Sequence, residues 1–159
     1  MNKENISFYN QTTIYFQNNS WILLLIILII AVSLRLPNLN ESLWFDELFS
    51  THLILGNMIL LSNLALYDPH PPFYYIFMFF WIRLFGDYEL SIRIPPLIFG
   101  ILSIFLTYTL ALRFTVKKGA LLTSFLMCVS PVHIWYSQEA RPYSGTLFFC
   151  CLQYFRIIS

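Results

Sequence analysis

The 159-residue chain is 58% hydrophobic and only 11% charged, with a formal net charge of +1. So few charged side chains cannot cover a soluble globule, and scattered Lys and Arg residues offer no basic face for nucleic acid, so both of those classes are set aside. The apolar residues are gathered into long runs separated by short polar segments, which predicts an all-α integral membrane fold.

The first segment, Met1 to Ser20, is polar and Asn-rich, with Lys3 and Glu4 nearly cancelling, and is expected to remain cytoplasmic. The run that follows has no small-residue cleavage site after it, only Arg35, Leu36 and Pro37, so it reads as a retained helix rather than a leader. Four runs have the apolar length of transmembrane helices: 21–36, 94–112, 120–136 and 142–158. A fifth, Phe73 to Phe85, would form only about 20 Å of helix against a hydrocarbon core of about 30 Å.

Charge decides between crossing and lying flat for that fifth run. If it lies at the interface, Arg113, Lys117, Lys118 and Arg156 join Lys3 on the N-terminal side, opposed there only by Glu4. The other face then collects Glu41, Asp46, Glu47, Asp68, Asp87, Glu89 and Glu139 with Arg35, Arg83, Arg93 and Arg141. The basic cluster marks the cytoplasmic side. The predicted architecture is therefore a cytoplasmic segment 1–20 and a transmembrane domain 21–159. Its extracytoplasmic loop 37–93 carries two amphipathic juxtamembrane helices, Asp46 to Leu64 and Phe73 to Phe85. In this arrangement the polar segments around Asp46, His70 and Arg141 share one outer face.

Asp46 and Glu47 are adjacent carboxylates among bulky apolar neighbours in Leu43-Trp44-Phe45-Asp46-Glu47-Leu48. Two readings stand: acids at the positive end of a helix dipole, or a general base whose proton affinity is raised by its surroundings. In Asp68-Pro69-His70-Pro71-Pro72, prolines fix the chain on both sides of His70, which is either an exposed interfacial residue or a group reaching an anionic headgroup or substrate oxygen. In Ser137-Gln138-Glu139-Ala140-Arg141-Pro142-Tyr143, Glu139 and Arg141 form either an ordinary loop ion pair or, beside the aromatic Tyr143, a grip on a lipid phosphate. Arg93 reads as a residue snorkelling to the interface, with a headgroup contact as its functional reading. Cys128, Cys150 and Cys151 lie in apolar runs without metal-type spacing and receive no chemistry.

Taken in order, Trp44-Phe45-Asp46-Glu47, His70-Pro71-Pro72-Phe73-Tyr74-Tyr75, Phe85-Gly86-Asp87, Arg93-Ile94-Pro95, and Ser130-Pro131 through Tyr136-Ser137-Gln138-Glu139-Ala140-Arg141-Pro142-Tyr143 resemble the family 39 type of GT-C membrane glycosyltransferases. That group includes protein O-mannosyltransferases and relatives that place aminoarabinose on lipid A. The resemblance runs from about Arg35 onward. It implies that Asp46, with Glu47 beside it, supplies the catalytic base in the first extracytoplasmic loop, that His70 opens the second juxtamembrane helix, and that Arg141 belongs to the motif of the second outer loop.

The implied reaction is inverting transfer of a sugar from a polyprenyl-phosphate donor, with Arg141, His70 or Arg93 steadying the leaving phosphate and Glu139 and Tyr143 completing the substrate site. A divalent metal near Asp46 is compatible with this chemistry, although no ligand set in the sequence demands one. Family members have many more spans and usually a soluble domain, so the chain is expected to match the N-terminal part of the fold. The acceptor is not identified. The alternative class is a non-catalytic, membrane-embedded binder of lipid headgroups or a scaffold. A transporter fits less well, because the runs are almost free of charge.

Overall fold

The computed structural model describes residues 19–37, 39–55 and 72–158, and every regular element among them is a helix. In chain order these are α1 (Ser20–Arg35), α2 (Phe45–Leu55), α3 (Pro72–Phe85), α4 (Glu89–Ala111), α5 (Lys117–Val129), α6 (Pro131–Gln138) and α7 (Tyr143–Ile158). His70 and residues 56–64 of the first expected juxtamembrane helix lie outside the described residues, as do residues 1–18.

The central element is α4, which packs along α7 and against α5, α6 and α1. Its 23 residues, about 35 Å long, make it the one described helix long and apolar enough to cross a bilayer by itself. Contacts set the directions. Trp21 at the start of α1 meets Tyr108 near the end of α4 (ring centroids 5.9 Å apart), so these two run antiparallel. Phe99 of α4 meets Phe148 and Phe149 of α7, and Arg113, just past the end of α4, lies 5.5 Å over the Phe155 ring near the end of α7, so these two run parallel. Along α1, Leu24, Ile27 and Ala31 are buried at helical spacing, whereas Trp21, Ile22, Leu25 and Ile29 form an exposed apolar stripe.

Two helices depart from the sequence expectation, and both departures trace to proline. The expectation begins the second span at Ile94, with Pro95 and Pro96 near its first turn; α4 instead starts at Glu89 and carries both prolines inside it. Pro95 has no N–H, so the Ser91 carbonyl four residues back loses its helical partner. The indole Nε1–H of Trp81, in α3, donates to that carbonyl at 2.9 Å. This bond pins the end of α3 to the start of α4, while Phe77 of α3 meets Phe99 of α4 and Phe73 meets Phe149 of α7. α3 therefore runs back along the first half of α4. Gly86 makes the turn between them, ending α3 through its N–H to the Ile82 carbonyl and taking φ +91°, where glycine carries no steric cost.

The second departure is in the run expected to form a single helix over 120–136, which is broken at Ser130: α5 and α6 meet at 59°. Pro131 occupies the first turn of α6, and the Ser130 hydroxyl accepts from the His133 N–H at 3.5 Å as its cap. With this bent pair taken as one unit, two segments meet the length and apolarity of a span.

The bend carries α6 across α4. There Gly100 faces Ser137 so closely that a Cβ built at residue 100 would stand 2.7 Å from the Ser137 Cβ. Only glycine fits at this crossing.

Candidate active site

Three segments far apart in sequence converge at one end of the helical bundle: the start of α2, the first turns of α4 and the loop between α6 and α7. The residue that joins them is Glu47. It is 1% exposed, and its carboxylate accepts four hydrogen bonds. Oε1 takes Arg93 Nε at 3.1 Å and the Ala140 N–H at 2.7 Å. Oε2 takes Arg93 Nη2 at 2.6 Å and the Trp44 N–H at 3.1 Å.

The bond to Trp44 is a local consequence of sequence, because a glutamate at the third helical position reaches back to the residue preceding the helix. The other three are tertiary. Burial pushes the Glu47 carboxyl up, but the hydrogen bonds from Arg93, Ala140 and Trp44 outweigh it and hold the group below the ordinary glutamate value.

Arg93 is equally committed. Besides its two bonds to Glu47, its Nη1 donates to the carbonyls of Leu39 (3.2 Å) and Glu41 (2.8 Å), and its Nη2 to that of Ser42 (3.3 Å). A guanidinium has five N–H donors, and these acceptors engage all five. Arg93 therefore points inward, at 2% exposure, and gathers the chain leaving α1 onto the start of α4.

Asp46, one residue before Glu47, is turned about 100° around α2 and points away from this buried pair. Its side chain is 73% exposed and faces Arg141, Oδ2 to Nη2 3.9 Å. Arg141 is half-buried. Among the described residues its hydrogen bond goes to the Ser50 hydroxyl at 3.0 Å, one turn along α2, and its Cζ stands 5.9 Å from the Tyr143 ring. Tyr143 in turn packs on Tyr136, with centroids 4.6 Å apart.

Glu139 and Arg141 do not pair with each other through their side chains. The Glu139 carboxylate accepts from Trp135 Nε1 at 2.9 Å, and it lines a cleft of about 50 Å³ with Glu41, Trp44 and Gln138. Burial raises the Glu139 carboxyl above the usual range against the Trp135 bond, with Glu47 and Asp46 adding to the rise.

The sequence reading thus placed Asp46, Glu47, Arg93, Glu139, Arg141 and Tyr143 in one site, and these six do lie together, in two layers. Glu47 and Arg93 form a closed inner layer; the exposed Asp46 and the half-buried Glu139, Arg141 and Tyr143 form the outer one. His70 lies outside the described residues, and among the described residues no three His, Cys, Asp or Glu side chains converge as a metal would need.

The sequence reading passed over a second buried network just beneath. Arg35, wholly buried at the end of α1, donates to His133 Nδ1 at 2.6 Å, and His133 Nε2 meets the Ser103 hydroxyl at 3.0 Å. The available signal was Ser130-Pro131-Val132-His133, where a proline break inside an apolar run frees backbone carbonyls that need donors.

A family model described as dolichyl-phosphate-mannose-protein mannosyltransferase matches residues 69–158, which include Arg93, Glu139, Arg141 and Tyr143. No curated protein and no solved structure matches the chain. The match covers more than half of the sequence, and the chain belongs to this family of GT-C type glycosyltransferases.

Proposed function

We propose that this chain carries the acceptor-activating part of a membrane glycosyltransferase that takes its sugar from a polyprenyl-phosphate donor at the extracytoplasmic face. The observation that carries this reading is the division between two neighbouring carboxylates: Glu47 is locked by four hydrogen bonds, while Asp46 stands open beside Arg141. A general base must reach a substrate hydroxyl, and Asp46 has that access. Glu47 and Arg93 then hold α2 and the loop after α6 in register instead of touching substrate.

In the proposed step the acceptor hydroxyl attacks the anomeric carbon as Asp46 takes its proton. The bond from that carbon to the phosphate oxygen breaks, and the lipid phosphate leaves with the electron pair, so the anomeric centre inverts. Arg141 lies next to the base, its Nη2 3.9 Å from Asp46 Oδ2 and its Nη1 on the Ser50 hydroxyl, and its planar fork suits the developing phosphate charge. Tyr143 steadies that guanidinium from the side. His70 and Glu139 complete the donor site.

For the membrane arrangement we propose that α1, α4, the α5–α6 pair and α7 cross the bilayer, with α2 and α3 lying along its outer surface and the N-terminal segment in the cytoplasm. The exposed apolar stripe of α1 supports this, since such a surface is costly in water and neutral in lipid.

The decisive experiment is transfer of labelled sugar from a polyprenyl-phosphate donor, comparing the native chain with Asp46→Asn in membranes. Transfer lost in the variant supports the assignment, and equal transfer by both removes Asp46 as the base. Retained binding of the lipid donor with no transfer by either favours the headgroup-binding alternative.

A further inference from the structure

Arg35 is fully buried, and among the described residues no carboxylate pairs with it. A cation in apolar surroundings is costly unless its donors meet acceptors, so the identity of those acceptors is informative. Nη1 donates to the Ala31 carbonyl in its own helix at 2.9 Å and to the Cys128 carbonyl at 3.2 Å. Cys128 lies in the last turn of α5, just before the 59° bend, where the terminal carbonyls lack helical partners. Nη2 donates to His133 Nδ1, and the carbonyls of Arg35 and Pro37 accept from Gln138 Nε2 at 3.2 and 2.7 Å. Residues 35 and 37 therefore hold α6 near both of its ends.

The direction of the network follows from chemistry. Arginine can only donate, so His133 Nδ1 accepts and its Nε2 carries the proton toward Ser103; the Ser103 hydroxyl then donates to the Gly100 carbonyl at 2.7 Å. One chain of donors runs from α1 through α6 into α4, at the crossing where Gly100 admits Ser137. Two residues beyond the end of α6 stands Ala140, whose N–H reaches Glu47, and then Arg141, which faces Asp46.

We propose that Arg35 is a positioning residue for this site: acting through His133 and the end of α6, it sets the loop that brings Arg141 against Asp46. The functional weight of the proposal rests on the transferase reading, but the geometry can be tested without any transfer.

With Cys128, Cys150 and Cys151 replaced by alanine, cysteines are placed at Asp46 and Arg141 and bridged in native membranes by a short bifunctional thiol reagent. A second pair at Trp21 and Tyr108, on α1 and α4 away from the site, reports general loss of structure. Arg35→Lys keeps the charge but cannot fork between the Cys128 carbonyl and His133. His133→Leu removes the acceptor, and His133→Asn restores one near the Nδ1 position. Arg35→Lys and His133→Leu are expected to slow cross-linking of the 46/141 pair about five-fold while the 21/108 pair is unaffected, and His133→Asn to recover most of the native rate. Unchanged cross-linking at 46/141, equal loss at both pairs, or failure of His133→Asn to recover would each overturn the proposal. The expected cross-linking pattern, together with no sugar transfer by the native chain, would count against the transferase reading alone.

Discussion

Arg93 Nη2 and Glu47 Oε2 stand 2.6 Å apart with both side chains almost wholly buried, and the pair ties the start of α4 to the start of α2 across 46 residues of sequence. Every donor of the guanidinium and both oxygens of the carboxylate have partners, so the desolvation of two charges is offset on all sides. Breaking one partner leaves the other charged and buried. Glu47→Ala and Arg93→Met are each expected to cost about 3–5 kcal/mol, and the double variant clearly less than their sum. Thermal unfolding in detergent measures this; additive losses would mean that the two groups are not coupled.

The same pair gives the chain an acid limit. Glutamates in the unfolded chain titrate near 4.5, and the folded Glu47 lies lower, so its contribution is complete above 4.5 and is lost as pH falls through the lower folded value. Glu139 has the opposite sign: its raised folded value means that acidification through that value favours the fold. Melting temperature followed from pH 6 downward should fall on the acid side in the native chain, and Glu47→Gln should flatten that fall. A curve of unchanged shape in Glu47→Gln would dissociate the acid limit from this residue.

Asp46 makes no comparable demand on stability. Its side chain is mostly in solvent and its ion contact with Arg141 is long, so Asp46→Asn should leave the unfolding free energy within about 0.5 kcal/mol of native, measured by denaturation in detergent. Removal of a general base lowers transfer by about 10²–10⁴-fold. The prediction is a large loss of rate with little loss of fold, and a variant that loses both together would reassign Asp46 to the scaffold.

At the α4–α6 crossing, Gly100→Ala places a methyl group against the Ser137 side chain. A cost of about 1–3 kcal/mol is expected, and Ser137→Gly should return much of it by vacating the space. Chemical denaturation of the two single variants and the double variant checks this. A Gly100→Ala chain as stable as the native one would show that the helices separate freely.

Trp81→Phe removes the donor that satisfies the Ser91 carbonyl, for an expected loss of about 1–3 kcal/mol. Pro95→Ala returns a backbone N–H to that carbonyl, so the cost of Trp81→Phe should shrink in the Pro95→Ala background. An undiminished cost there would indicate that the indole acts through packing alone.

Much of the helical layout could be read from the chain directly, because apolar runs of helical length are a local property. Helix limits were least legible where proline was involved. Pro131 stands at a helix start and Pro95 inside a helix, and nothing local distinguishes them: Pro95 is tolerated because Trp81, from another helix, supplies the missing donor. Asp46, Glu47, Arg93, Glu139, Arg141 and Tyr143, picked out in the sequence, lie near one another because α2, the start of α4 and the loop after α6 meet at one end of the bundle.

What the sequence determined by itself was therefore the helical, apolar character of the chain, its family membership through ordered motifs, and the presence of an acidic pair followed far along by arginines. Tertiary structure alone decided where each member of that pair lies. Neighbours on a helix diverge by about 100°, and which of them faces inward depends on partners that arrive from elsewhere in the chain. Arg93 and the Ala140 N–H claim Glu47, leaving Asp46 outward beside Arg141; Arg35 claims His133 in the same way. Hydrogen bonds spanning tens of residues leave no periodic trace in a sequence, and here they separate the buried carboxylate from the one left exposed.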